Sequence, residues 1–196
     1  HAIISDRIEA GTFMTAVGLA GGEVSLEGAP LDDLEPVIVK LRQAGLEIER
    51  QGADVVVARR GKILPVNVTT APHPGFPTDM QAQLMALMTL CDGRSVLTET
   101  IFENRFMHVP ELIRMGANID IRNNTAFVQG TEQLSGANVM ATDLRASATL
   151  VIAGLVAEGD TIVRRVYHLD RGYEAIEDKL GGVGADIQRI QLEESP

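Results

Sequence analysis

The chain has 196 residues, a formal net charge of −10 and a hydrophobic fraction of 45%, enough apolar material for a substantial core. With five Phe, two Tyr and no Trp that core must be mostly aliphatic, and the acidic balance makes nucleic acid a poor partner, because counterion release needs a basic surface. The single cysteine, Cys91, excludes an internal disulfide framework and suits a reducing compartment.

The chain opens at His1 rather than Met, which points to a fragment or a processed half, and no signal peptide is evident. Ser5-Asp6-Arg7 begins a helix over residues 8–20 whose only charge is Glu9, and a glycine turn at Gly22 leads into the strand Glu23-Val24-Ser25-Leu26. An amphipathic helix over 34–44 should bury Val37, Ile38 and Leu41 and expose Lys40 and Arg42. Gly45 suits the left-handed position that ends it, and a strand starts at Leu46-Glu47-Ile48-Glu49. Pro65, Pro72, Pro74 and Pro77 exclude regular structure between 65 and 77 and make an extended loop, either functional or a simple crossover.

The pattern then restarts. Thr78-Asp79-Met80 opens a helix over 80–91 without any charge, followed by Gly93, the strand 95–98, a second helix beginning near Arg105 and ending at Gly116, and a strand over 117–120. It restarts again at Thr142-Asp143-Leu144, with a helix over 144–157 whose one charge is Arg145. Gly159, the strand 161–163, a second helix beginning near Arg171 and ending at Gly184, and a strand over 185–188 complete the third copy. The longest apolar run, 146–157, is too short to span a membrane.

A repeat this regular implies one domain of three units, over about 1–62, 63–131 and 132–192. Helices without a polar face are buried on all sides, and their Ala, Gly and Ser content permits close approach. The strands alternate, as in Ile119-Asp120-Ile121-Arg122, so one strand face is wet. The expected fold is α+β with helices at the centre and sheets as outer walls.

Two readings of Asp6, Asp79 and Asp143 follow. Each is an N-cap or first-turn residue that satisfies free backbone N–H groups; alternatively, equivalent helix N-termini gathered at one end make an anion-binding surface. Arg7 and Arg145 stand just past two of these aspartates. Arg105, beside Glu103-Asn104, and Arg171, beside Asp170, occupy matching places before the second helices and suit phosphate or carboxylate clamps with orienting partners. His73, His108 and His168 lack metal-ligand spacing, so no metal site is expected. Cys91, near the end of an apolar helix, reads as an inert core residue.

Four segments carry a resemblance: Phe76-Pro77-Thr78-Asp79-Met80-Gln81-Ala82-Gln83, Phe102-Glu103-Asn104-Arg105-Phe106-Met107-His108-Val109, Ala141-Thr142-Asp143-Leu144-Arg145-Ala146-Ser147 and Asp170-Arg171-Gly172-Tyr173-Glu174. With Asp6-Arg7-Ile8-Glu9-Ala10-Gly11-Thr12, the chain resembles the C-terminal portion of the UDP-N-acetylglucosamine enolpyruvyl (1-carboxyvinyl) transferases. The resemblance implies an inside-out α/β barrel (an alpha-beta prism) facing a second domain across a substrate cleft. It implies transfer of the enolpyruvyl group of phosphoenolpyruvate to the 3-hydroxyl of UDP-N-acetylglucosamine, the first committed step of peptidoglycan synthesis, in the cytoplasm and without a cofactor. By motif, Asp79 would contact that hydroxyl as general base, Ile101 would contact the nucleotide sugar through its backbone, Arg171 would clamp phosphoenolpyruvate, and Arg105 and Asp143 would line the same cleft. The family's reactive cysteine sits in the other domain and Cys91 does not match it; the N-terminal lysine and arginine that bind phosphoenolpyruvate have no counterpart here. The complementary N-terminal domain is therefore an expected partner, and the chain alone is expected to be inactive. An EPSP synthase-like transferase and a non-catalytic folding or partner-binding domain are the alternative readings.

Overall fold

The computed structural model describes residues 1–190 apart from Ala2. Its first helix, α1 (Arg7–Ala20), starts where Asp6 accepts a hydrogen bond from the Ile8 N–H at 2.7 Å, and runs into β1 (Gly22–Leu26). After a 3₁₀ turn over Leu31–Leu34 comes α2 (Glu35–Gln43), which buries Val37, Ile38 and Leu41 as its pattern requires. The strands β2 (Glu47–Gln51) and β3 (Asp54–Arg59) form a hairpin through the two-residue turn Gly52-Ala53. Further on stand β4 (Val68–Thr69), the 3₁₀ turn Thr78–Met80, α3 (Gln81–Met88) and β5 (Arg94–Thr98). Then α4 (Val109–Arg114) precedes a second hairpin, β6 (Asn118–Arg122) and β7 (Thr125–Gln129), closed by Asn123-Asn124. The last elements are β8 (Asn138–Met140), α5 (Leu144–Gly154), β9 (Ile162–Arg164), a 3₁₀ segment Val166–Arg171 and α6 (Ile176–Gly182).

The apolar helices are central. All eight residues of α3 are buried, as are Ala146–Ala153 of α5, and α1, α3 and α5 pack pairwise on one another. Glycine allows the closest approach: a Cβ on Gly11 would lie 2.9 Å from the sulfur of Met80, and one on Gly18 would lie 3.0 Å from Leu87. The sheets lie outside them. The sheet β1-β3-β2 backs α1, β4-β5-β7-β6 backs α3, and the two-stranded β8-β9 backs α5.

The second helices all end alike. Gly45, Gly116 and Gly184 have φ of 101°, 93° and 100°. In each case the glycine N–H and the next residue's N–H bond back into the last turn, to Arg42 and Leu41, to Ile113 and Leu112, and to Gly181 and Leu180. These are Schellman closures, which satisfy carbonyls the helix leaves free.

Several expectations need correction. Val68 and Thr69 of the Pro65–Pro77 segment form a strand parallel to β5, because the N–H groups between Pro65 and Pro72 are free to join a ladder. β3, in the middle of its sheet, and β7, between β5 and β6, lie where no strand is expected from the sequence. Residues 185–188 do not form a strand: within the described residues no following strand pairs with them, and a lone strand leaves its backbone groups unsatisfied. Arg189 instead holds this segment on Asp170 and Glu177. The helices α4 and α6 begin later than expected, at Val109 and Ile176, so neither Arg105 nor Arg171 stands at a helix start. Pro110 near the α4 terminus suits the first turn. No helix is long and apolar enough to cross a membrane among the described residues.

Candidate functional site

The three aspartates have different local chemistry. Asp6 and Asp143 are N-caps: the Asp143 carboxylate accepts from the Arg145 and Ala146 N–H groups at 2.8 and 2.9 Å. Asp79 caps nothing. It lies inside the 3₁₀ turn that precedes α3 and makes no capping bond, so its carboxylate is available for other partners. Its Oδ1 accepts from Arg105 Nη2 at 2.8 Å and its Oδ2 from Arg145 Nη2 at 3.2 Å. The expectation that Glu103 or Asn104 orients Arg105 is thus corrected; the partner lies upstream, across the fold.

Arg145 reaches Asp79 from the first turn of α5 and is mostly buried. Burial alone would disfavour its charge, but Tyr173 and Asp79 outweigh that and leave the guanidinium above its usual pKa. Its Nη1 donates to the Tyr173 hydroxyl at 3.3 Å, and its guanidinium carbon lies 5.7 Å from the Tyr173 ring centre. Tyr173, only 1% exposed, hydrogen-bonds Thr12 of α1 at 2.9 Å, and Gln83 of α3 donates to the same threonine at 3.2 Å. Residues from all three central helices therefore meet beside Asp79.

A second buried carboxylate organises the neighbouring turn. Glu99, 3% exposed, follows β5 and accepts four hydrogen bonds: from the Thr70 and Thr78 hydroxyls at 2.7 and 2.8 Å, and from the Ile101 and Phe102 N–H groups at 2.7 and 3.2 Å. It has hydroxyl and amide partners instead of a cation, which is how a buried carboxylate is tolerated. Through Thr78 it braces the turn carrying Asp79, and through Ile101 and Phe102 the turn leading to Arg105. Arg105 packs on Phe102, 5.2 Å from its ring centre, and with Phe102, Glu103, Asn104, Asn123 and Asn124 lines a cavity of about 500 Å³.

His108 is buried behind Arg105 with its Nε2 lacking a protein partner. Burial pushes its pKa down to about 4; Asp143 pulls it up, Arg105 adds to the lowering, and a hydrogen bond to the Arg105 backbone opposes it. Its imidazole is thus neutral near pH 7.

Of the residues singled out by sequence, Asp79 and Arg105 are bonded directly, and Asp143 joins them through the start of α5. Ile101 is partly exposed with its N–H already given to Glu99. Arg171 is exposed at the end of the 3₁₀ segment, two residues before Tyr173, with no hydrogen bond to the Asp79 group. Asp170 does not orient it, being held by Arg189 at 2.6 and 3.0 Å. Glu99, Thr12 and Gln83 escaped the sequence reading. A glutamate flanked by threonines at a strand end carries no motif, although Tyr173, one of two tyrosines, was a visible oddity in an aliphatic chain. Cys91 is buried and free, its thiol pushed up by burial and only partly restored by Ser95. Among the described residues no group of three His, Cys, Asp or Glu side chains is placed to hold a metal.

Comparison with known proteins adds identity. A UDP-N-acetylglucosamine 1-carboxyvinyltransferase of Sorangium cellulosum is 67% identical over 193 residues, covering 97% of this chain and 46% of that protein. One from Nitratidesulfovibrio vulgaris is 60% identical over 191 residues, again covering 97% of this chain and 46% of the relative. The chain spans about half the length of the curated relatives it matches. Among solved structures, the enolpyruvyl transferase NikO from Streptomyces tendae superposes with a TM-score of 0.86 at 29% identity, over 95% of this chain and 44% of that one. EPSP synthase from Acinetobacter baumannii superposes at 0.72 with 19% identity, over 97% and 45%, and shares the fold. The sequence profile of the family described as EPSP synthase (3-phosphoshikimate 1-carboxyvinyltransferase) matches residues 1–180, and the chain belongs to that family.

Proposed function

We propose that this chain forms one wall of the active site of an enzyme that transfers enolpyruvyl from phosphoenolpyruvate to the 3-hydroxyl of UDP-N-acetylglucosamine, in the cytoplasm and toward peptidoglycan. The observation that carries the reading is the carboxylate of Asp79, released from capping and aimed by Arg105 and Arg145. Each of its oxygens uses one lone pair on an arginine and keeps another for a hydroxyl donor. A base in this position accepts the proton as the sugar oxygen attacks, provided the hydroxyl comes within hydrogen-bond reach. The guanidinium groups beside it supply positive charge for a phosphate or carboxylate, and Arg171 adds a clamp from the exposed 3₁₀ segment. The Ile101 backbone, on a turn braced by Glu99, contacts the nucleotide sugar, and Asp143 lines the cleft at the α5 start.

The domain is best described as three units, about 1–62, 63–131 and 132–192, making an inside-out α/β prism with the site at the α3 and α5 starts and the turns beside them; residues 191 and 192 lie outside the described residues. The curated relatives favour UDP-N-acetylglucosamine over an EPSP synthase-like substrate, since the EPSP synthase structures share the fold at only 19% identity. The other cleft wall belongs to the complementary N-terminal half, whose closure completes the site.

The test is reconstitution. The chain is mixed with the N-terminal half of the Sorangium cellulosum relative, and phosphate release from phosphoenolpyruvate is followed with UDP-N-acetylglucosamine present. Turnover is expected from the mixture and none from the chain alone, and Asp79→Asn should lower it on the order of a hundredfold. Association without turnover would reduce the chain to a partner-binding module. Near-normal turnover in Asp79→Asn would remove its role as base.

A further inference from the structure

The hydroxyl of Tyr173 has only one orientation available. Thr12 Oγ1 lies 2.8 Å from the Ile8 carbonyl oxygen, which can only accept, so the threonine proton is spent there. Its oxygen then has two lone pairs left, and two neighbours reach for them: Gln83 Nε2 at 3.2 Å and the Tyr173 oxygen at 2.9 Å. With Thr12 unable to donate again, Tyr173 must donate to Thr12. The tyrosine oxygen therefore presents lone pairs alone to its remaining partner, Arg145 Nη1 at 3.3 Å.

The same bookkeeping fixes the Gln83 amide, whose nitrogen must face Thr12. Its Oε1 is left as a buried atom without a protein partner. The result is a directed chain of hydrogen bonds. The chain ends on Arg145, whose other terminal nitrogen holds Asp79.

We propose that Tyr173 is a positioning residue for Asp79, acting through Arg145, with Thr12 and Gln83 setting the direction of its hydroxyl. Its importance for turnover rests on the reading of Asp79 as the base. Tyr173 does not touch the substrate. It stops the Arg145 guanidinium from rotating about its own axis, and so keeps Nη2 on the carboxylate. Residues of the three central helices that meet at this point thereby share one proton arrangement.

The experiment has two arms. Side-chain nitrogen NMR of the chain itself reads the rotation of Arg145, assigned by its loss in Arg145→Lys. In the native chain the two Nη signals should be separate. In Tyr173→Phe, which keeps the ring, rotation should speed up by about tenfold or more, as expected for loss of a hydrogen bond to a charged group. Thr12→Val should do the same more weakly, and carries this arm should Tyr173→Phe not fold. In the reconstituted enzyme, Tyr173→Phe should lower kcat by about tenfold with KM within about threefold, the pattern of an interaction that acts in the transition state. A merely structural role would lower the melting temperature and leave both the Arg145 rotation and the kcat-to-KM split unchanged. Unaltered Arg145 signals, or native kcat in Tyr173→Phe, would overturn the proposal. A reconstituted native enzyme without turnover would sink the transferase reading instead, while the NMR arm still decides whether Tyr173 holds Arg145.

Discussion

His108 makes the stability of this domain depend on pH in a calculable way. Its imidazole is buried and feels the charges of both Asp143 and Arg105, and burial lowers its pKa from 6.5 to about 4. In the unfolded chain it returns to about 6.5. Because the folded value is the lower one, the unfolded state binds more protons between the two, and stability falls as pH drops from above 6.5 toward 4. The full gap corresponds to roughly 3 kcal/mol, at about 1.4 kcal/mol per unit, and about 2 kcal/mol of it should be lost between pH 7.5 and pH 5. The perturbation is His108→Leu, which keeps an apolar side chain in the site and removes the titration. Urea unfolding of both proteins at pH 7.5 and pH 5 gives the difference directly. Asp92, Asp170 and Glu177, whose pKa values are lowered by Lys62 or Arg189, lose their contributions at still lower pH and do so equally in both proteins. The native chain should lose about 2 kcal/mol more than the variant over this interval. Parallel stability–pH curves would show that His108 protonates in the folded state as easily as in the unfolded one, and the argument from burial would be wrong.

Two further perturbations address the supports of the site. Glu99→Gln keeps the side chain's shape but replaces one acceptor oxygen by a donor facing hydroxyl or amide donors; it should cost about 1–3 kcal/mol and speed hydrogen exchange at the Ile101 and Phe102 amides, and native exchange there would show that Glu99 braces nothing. Gly18→Val places a branched side chain where a Cβ would already lie 3.0 Å from Leu87 and 3.3 Å from Leu46; thermal unfolding should report about 1–3 kcal/mol of overpacking, whereas an unchanged melting temperature would contradict so close an approach of α1 and α3.

Local order was already determined by the sequence. Helices without a polar face had to be central, Gly45, Gly116 and Gly184 had to end their helices in the left-handed region, and Asp6, Asp79 and Asp143 each stood where a helix cap is expected. Those properties depend on neighbours within a few residues, so periodicity and residue type reveal them. The strands β3 and β7 do not stand apart in the sequence, because only a two-residue turn, Gly52-Ala53 or Asn123-Asn124, separates each from the strand it pairs with. The strand expected over 185–188 failed for the converse reason: its local pattern was adequate, and among the described residues no partner lies beside it.

The site was decided by the tertiary structure. As helix starts the three aspartates are copies in the sequence, and only the resemblance of segment 76–83 to the transferases singles out Asp79. The difference lies in a 3₁₀ turn, which removes its capping partners, and in two arginines delivered from other segments, Arg105 and Arg145. What reaches Arg145 is likewise a matter of packing: Tyr173 and Thr12 are 161 positions apart and meet only because the 3₁₀ segment before Tyr173 packs on α5, which in turn packs on α1. A carboxylate's role follows from the donors that surround it, and distant donors are set by the fold.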